Sequence, residues 1–372
     1  METIIRQATK DDTEAIWTFI KHAYGTGQQG TSRFKYPERW IWQFLDNPFV
    51  NEGGNKLPIW LAIRNNSIVG QMCALPASMK IGDQTYNGSW GCDFIVSREC
   101  RGQGIGHKLT EIYYKHFQVC VGITMAGTTR RIWEKFNPVP LRPMHIFLYP
   151  IKLDKNIFHY FLGDKFGPLQ NISAKLGDVL FSIKRKFNRM LKNEVKSFIQ
   201  EIFEFSTAID SLSENTYRDY NAIVKRESKY LNWRFFCNKE FKYKVFVSKN
   251  NDQIKGYVVV RKPHPAELSL GHIVDFYAAK NDVDTLKDLI LFAIRFFGKS
   301  VTTIKCSSSA INIEKLLQKY GFIRANRMKP LMLVSDLAIR EKVKNLTEDW
   351  FMTLADQDLD QVVFNLDINQ PI

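Results

Sequence analysis

The chain has 372 residues, 45% hydrophobic and 13% aromatic, with a formal net charge of +14. This length suggests two domains with ample apolar content for packed cores, and no window approaches the roughly eighteen uncharged apolar residues of a membrane-spanning helix. The positive charge admits nucleic acid, an anionic lipid surface or an anionic cofactor. Basic residues cluster between Lys152 and Lys196 while the tail after Ser335 is acidic, so total charge does not argue for nucleic acid. The six cysteines have neither C-x-x-C nor zinc spacing and stand mostly in apolar runs, as reduced core residues of a cytoplasmic protein without a metal. The first residues alternate like a strand and carry no apolar signal-peptide core.

Ile4 and Ile5 lead into Asp11-Asp12-Thr13-Glu14, a helix-start signal, and Ile16, Phe19, Ile20 and Ala23 mark the helix. Tyr24 to Gly30 has the composition of a mobile loop, and Pro37 to Leu45 reads as a short aromatic helix stopped by Pro48. Ile59 to Ile63 and Ile68 to Leu75 predict a hairpin across Asn65-Asn66, and Met79 to Ile81 and Tyr86 to Trp90 another across Gly82-Asp83. Asp93 to Val96 is a short apolar run that reads as a buried strand. Arg101-Gly102-Gln103-Gly104-Ile105-Gly106 is a glycine-rich turn, and Ile105, Leu109, Ile112, Tyr113 and Phe117 then recur at helical spacing. Strand, glycine turn and helix together can hold phosphates, because glycines expose main-chain N–H groups and a helix N-terminus adds partial positive charge. Arg101 and Lys108 add full charges. No Lys-Ser or Lys-Thr follows the glycines, as a P-loop needs, and G-x-G-x-G is not the dinucleotide spacing. Val119 to Ala126, a helix over Met125 to Phe136 and a strand over His145 to Ile151 complete the first half.

Arg101 to Gly106 resembles, at every fixed position, the [Q/R]-x-x-G-x-[G/A] pyrophosphate loop of the GNAT acyltransferase superfamily, between its fourth strand and third helix. The resemblance implies that acetyl-CoA is the acyl donor, bound through its pyrophosphate by the N–H groups of Arg101, Gly102, Gln103, Gly104, Ile105 and Gly106. It implies that the pantetheine arm pairs like an extra strand with Phe94, Ile95 and Val96, with an N–H near Ile95 or Val96 polarising the thioester. Asp93 is then the candidate general base for a small-molecule amine acceptor, with Glu52 and His145 as weaker candidates. The loop from Tyr24 to Gly30 would border the acceptor. Trp133 stands near the position where the family often places a tyrosine acid, and an indole N–H cannot transfer a proton at neutral pH.

Ile172 to Phe203 carries an apolar stripe opposite Lys184, Arg185, Arg189 and Lys192, a basic amphipathic helix that would pack on its own protein or contact a membrane surface. The second half repeats the first: Trp233 matches Trp42, Phe235 matches Phe44, Asn238 matches Asn47, Gly256 matches Gly70 and Asp275 matches Asp93. Ala278 to Asp284 has no glycine and is acidic, whereas Ile311 to Phe322 again resembles the family's fourth helix. The expected fold is α+β, two GNAT folds in tandem, each a mixed and mostly antiparallel sheet flanked by helices. The expected division is 1–155 for the acetyl-CoA-binding domain, 156–203 for the basic linker, 204–336 for a degenerate GNAT-like domain and 337–372 for an acidic tail. This whole-chain layout resembles bacterial tandem-GNAT N-acetyltransferase-like proteins. Asp356, Asp358, Asp360 and Asp367 have EF-hand spacing, but Gln361 replaces the glycine and Asp367 the glutamate, so the tail reads as solvated with one aromatic anchor. The leading function is acetyl transfer to an amine, the second domain shaping the acceptor site. Aminoacyl or other acyl transfer by the same fold, or a non-catalytic module for CoA or a membrane surface, stand beside it.

Overall fold

The computed structural model describes residues 2–24, 37–50, 54–152, 195–263, 269–346 and 349–361. The first half runs β1 (Ile4–Thr9), α1 (Thr13–Tyr24), α2 (Pro37–Phe44), β2 (Lys56–Arg64), β3 (Ser67–Ile81), β4 (Gln84–Val96), α3 (Ile105–His116), β5 (Val119–Gly122), α4 (Gly127–Glu134), β6 (Val139–Pro140) and β7 (Met144–Pro150). Asn65 and Asn66 both take left-handed φ angles, 50° and 58°, as the tight turn between β2 and β3 requires. β3 and β4 are each continuous where sequence suggested two shorter strands. The joining residues Pro76, Ala77, Gly91 and Cys92 are small or lack a ladder donor, and they pair across the hairpin all the same.

The second half runs β8 (Phe198–Ile202), α5 (Ala208–Thr216), β9 (Ala222–Val224), α6 (Ser228–Phe235), β10 (Tyr243–Asn250), β11 (Gln253–Arg261), β12 (Leu270–Ala278), α7 (Val283–Phe297), β13 (Thr303–Ser308), α8 (Ile311–Lys319), β14 (Ile323–Met328), β15 (Leu331–Leu333), α9 (Leu337–Lys344) and β16 (Trp350–Phe351). Most of the expected basic helix lies outside the described residues. Its end does not continue as helix: Phe198 to Ile202 pairs antiparallel with the edge of β10, which satisfies the main chain of a segment with little apolar burial.

Two mixed sheets result, ordered β1-β2-β3-β4-β5-β15-β6, with β9 joining β3 to β16, and β14-β7-β13-β12-β11-β10-β8. This is the expected tandem arrangement of two mixed sheets flanked by helices, except that the sheets exchange strands. β7, expected to close the first sheet, lies between β13 and β14 of the second. β15 returns to pair with β5 and β6 of the first. β5 has only four residues, so three from β15 suffice to cover it, while the long β7 finds ladder partners on both sides in the other sheet. The sheets therefore do not follow the expected 1–155 and 204–336 limits.

α2 and α6 meet where the halves join. Trp42 and Trp233 stack with ring centroids 4.8 Å apart and planes at 14°. Trp42 Nε1 donates to the Trp233 carbonyl at 2.7 Å, and Trp233 Nε1 donates to the Trp42 carbonyl at 2.8 Å. Among the described residues no helix is long and apolar enough to cross a membrane.

Candidate functional site

β4 pairs with β3 along its whole length, but with β5 only at Gly88, Ser89 and Trp90. Beyond Trp90 the two strands part. The β5-facing edge of Gly91 to Val96 is thereby left without a strand, and Phe94, Ile95 and Val96 lie along it. The parting coincides with a bulge: the β3 partner shifts by one residue between Ile95 and Cys92, and Asp93 takes φ 45°. Gln71 Nε2 holds the Asp93 carbonyl at 3.2 Å.

Past β4, a one-turn 3-10 helix (Arg98–Cys100) engages the Arg101 N–H with the Arg98 carbonyl at 3.3 Å, so the cradle of main-chain donors begins at Gly102. Gly102 and Gly104 both have φ 78°, and a Cβ at either would meet nothing within 4 Å, which makes glycine a conformational requirement on an open face. Gly106 has the opposite reason: a Cβ there would lie 2.9 Å from Ile132 and 3.1 Å from Phe94. Gly104 caps α3 without any side-chain bond, and the first intrahelical bond is Lys108 N–H to Gly104 at 3.1 Å. The N–H groups of Ile105, Gly106 and His107 thus precede the helical ladder and point out of the helix N-terminus. Gln103 braces the loop, accepting from Arg64 at 2.8 Å and donating to the Glu99 carbonyl at 3.0 Å, and the Arg101 guanidinium donates to the Val96 carbonyl at 3.2 Å.

On the α3 side the fork between β4 and β5 is filled by Trp133 from α4. A Cβ on Gly91 would come within 3.1 Å of its ring and one on Gly122 within 3.2 Å. Tyr113 lies beside it, sharing a 3.0 Å hydrogen bond with Ser89, and burial raises its phenol well above the usual range. A residue that sequence reasoning missed also reaches the fork: Gln357 Nε2 donates to the Gly91 carbonyl at 2.7 Å.

The other sequence candidates are not brought here. Glu52 and the loop from Gly25 to Gly30 lie outside the described residues. His145 is on β7 in the second sheet, with Nδ1 2.8 Å from Glu314, a carboxylate that also binds Arg142 and Arg324. Asp275 is locked by Tyr257 at 2.7 Å, Thr353 at 2.8 Å and Arg226 at 3.5 Å, and it lacks the left-handed φ of Asp93. The acidic segment is not a solvated tail. Asp356 pairs with buried Arg226 at 3.0 Å, Asp360 with buried Arg234, and Asp358 approaches Arg39 at 3.5 Å, because arginines in the core require counter-charges; Asp275 also serves Arg226 and Glu240 also serves Arg39. Burial raises the Asp356 carboxyl above its ordinary value, while Arg226, also buried, is held protonated by Asp275 and Asp356. Among the described residues no group of His, Cys, Asp and Glu could hold a metal ion. A surface cleft of about 410 Å³ lined by Lys10, Asn47, Asn232 and Cys237 shares no residue with the fork.

Residues 4–133 match the family model for an acetyltransferase (GNAT) domain. No curated protein matches the chain. A GCN5-related N-acetyltransferase from Anabaena variabilis superposes with a TM-score of 0.61 at 10% identity, covering 90% of this chain and 74% of that one. One from Kribbella flavida gives 0.55 at 10%, with 89% and 70% covered. Saccharomyces cerevisiae N-myristoyltransferase with bound myristoyl-CoA gives 0.57 at 10%, with 90% and 79% covered. At these identities the likeness is one of fold.

Proposed function

We propose that this chain, a member of the GNAT acyltransferase superfamily through its residues 4–133, moves an acetyl group from acetyl-CoA to the amine of a small acceptor. The observation that carries the reading is the open glycine loop of Gly102 to Gly106 at an uncapped helix N-terminus, next to the unpaired edge of β4. The N–H groups of Gly102 to Gly106 would hold the diphosphate, with Arg101 and Lys108 as neighbouring charges. The edge from Phe94 to Val96 would take the pantetheine arm as an added strand, leaving an N–H near Ile95 or Val96 to polarise the thioester carbonyl. Asp93 would accept, directly or through water, the proton that the acceptor ammonium must lose. The amine nitrogen then attacks the carbonyl carbon, the C–S bond breaks with its electron pair on sulfur, and the nitrogen's second proton passes through water to the departing thiolate. Trp133 at the fork can donate a hydrogen bond to that sulfur but not a proton. Its ring also fills the space beside Gly91 and Gly122, which favours a short acyl group over a long one.

The test is calorimetric titration of the full chain with CoA, followed by thiol-release assays with acetyl-CoA and longer acyl-CoA. Gly104→Val places a branched residue at φ 78° and should weaken CoA binding roughly tenfold or more. Asp93→Asn should leave CoA affinity in place and lower kcat. Absence of CoA binding in the unaltered chain would sink the assignment.

A further inference from the structure

Seven non-glycine residues take a left-handed φ among the described residues: Asn65, Asn66, Asp93, Asn137, Asn251, Asp252 and Gln357. Six are Asn or Asp, whose short side chains tolerate that conformation, and four of those form the hairpin turns. Gln357, at φ 64°, is the exception. Nothing local favours it, and it is held by its neighbours: Asp356 is fixed by Arg226, Asp358 lies beside Arg39, and Asp360 is fixed by Arg234. A strained residue imposed by its surroundings is a mark of a working site.

Its side chain reaches the fork. Gln357 is 6% exposed, and its Nε2 donates to the Gly91 carbonyl, one residue past the last β4–β5 pair and two before Asp93. A carbonyl can only accept, so this bond fixes which end of the amide faces Gly91. Oε1 is left buried and without a hydrogen-bond partner among the described residues. A buried carbonyl oxygen without a donor costs stability, and a ligand N–H would relieve it.

We propose that Gln357 binds the acyl acceptor: its Oε1 receives a hydrogen bond from the N–H of a primary amine and holds that nitrogen at the fork, beside the Asp93 bulge. This rests on the acyl-transfer reading above and assigns to it a residue from the far end of the chain. Gln357 takes no proton; it orients the amine whose proton goes elsewhere.

The test uses the full chain loaded with CoA and three probes, ethanolamine, benzylamine and spermidine, followed by saturation-transfer NMR. Gln357→Met keeps the length and removes the polar atoms; Gln357→Gly removes the side chain and relieves the φ. Both should bind CoA as the parent does, and both should lose amine binding roughly tenfold or more. Both variants unpair the Gly91 carbonyl, but Gln357→Gly also relieves the φ, so its unfolding temperature should fall no further than that of Gln357→Met. A merely structural glutamine would show that fall and leave amine binding unmoved. The proposal is overturned if the CoA-loaded parent binds none of the amines, or if either variant binds them equally well. Failure of the parent to bind CoA would instead remove the acyl-transfer reading beneath it.

Discussion

Trp42 and Trp233 occupy matching positions in the two halves, and each indole donates to the other residue's carbonyl. Trp42→Phe keeps the stacked ring and removes one donor, leaving the Trp233 carbonyl buried and unpaired, at a cost of about 1–3 kcal/mol. Trp233→Phe should cost nearly the same, since it likewise unpairs one carbonyl, that of Trp42. Paired denaturation curves check this, and clearly unequal losses would refute the symmetry. Asn47 and Asn238 repeat the same way: Asn47 accepts from the N–H of Phe49 at 2.9 Å, Asn238 from that of Glu240 at 3.0 Å. These correspondences were legible because each rests on a residue type with few substitutes for its task. Gln357 was not, because a glutamine acquires meaning only from the carbonyl it meets, and Gly91 is most of the chain away. Asp275 shows the limit of matching by position: it repeats Asp93 in sequence, yet three partners lock it and the left-handed φ of Asp93 is absent.

The helices that follow β4 and β12 make opposite use of their N-termini. α3 opens on Gly104 with no side-chain cap. α7 opens on Asp282, whose carboxylate accepts from the Thr285 N–H at 3.0 Å and from its hydroxyl at 2.7 Å. An anion is already built into the second helix, so a diphosphate has no place there, as the acidic Ala278 to Asp284 stretch suggested. This distinction is local and was therefore readable. The fate of Phe198 to Ile202 was not, since helical periodicity extended the stripe into a segment that an open edge of β10 recruits as a strand. The entry to α1 carries a titratable brace. Asp12 binds Arg6 through two bonds of 2.7 and 2.6 Å and accepts from the Thr9 N–H at 2.8 Å. Led by the Arg6 bond, these hold its carboxyl down at about 2. A folded-state value below the unfolded one stabilises the protein above the unfolded value and is lost as pH falls through the folded one. Asp12→Asn should therefore cost about 1 kcal/mol at neutral pH, discounted for the exposure of Arg6. The difference between variant and parent in thermal unfolding should close as pH drops from the ordinary carboxylate range toward about 2. A gap that stays constant across that range would exclude the brace.

At the scale of the whole molecule, the pattern of elements was legible and the pairing of their ends was not. Hairpins, helices and the glycine loop follow from turn residues and periodicity within short windows. Which sheet receives β7 or β15 depends on edges formed far away in sequence, and short closing strands carry little register information. The acidic segment was misread for the same reason: Arg226 and Arg234, which pair with Asp356 and Asp360, stand more than a hundred residues earlier. The exchange has a mechanical consequence. A chain cut after residue 155 would keep β7 without β13 or β14, exposing Met144, Phe147 and Leu148, each at most 1% exposed in the intact fold. It would also leave the β5 edge unpaired and strip Gln357 from the fork. Residues 1–155 alone should therefore lack a cooperative unfolding transition and bind no CoA, although they hold the entire glycine loop. Co-expression with residues 156–372 should restore both, because the missing strands can be supplied from a second chain. Calorimetry of the two preparations decides it. A cooperatively folded 1–155 fragment that binds CoA would mean that the exchanged strands decorate two independent domains instead of joining one body.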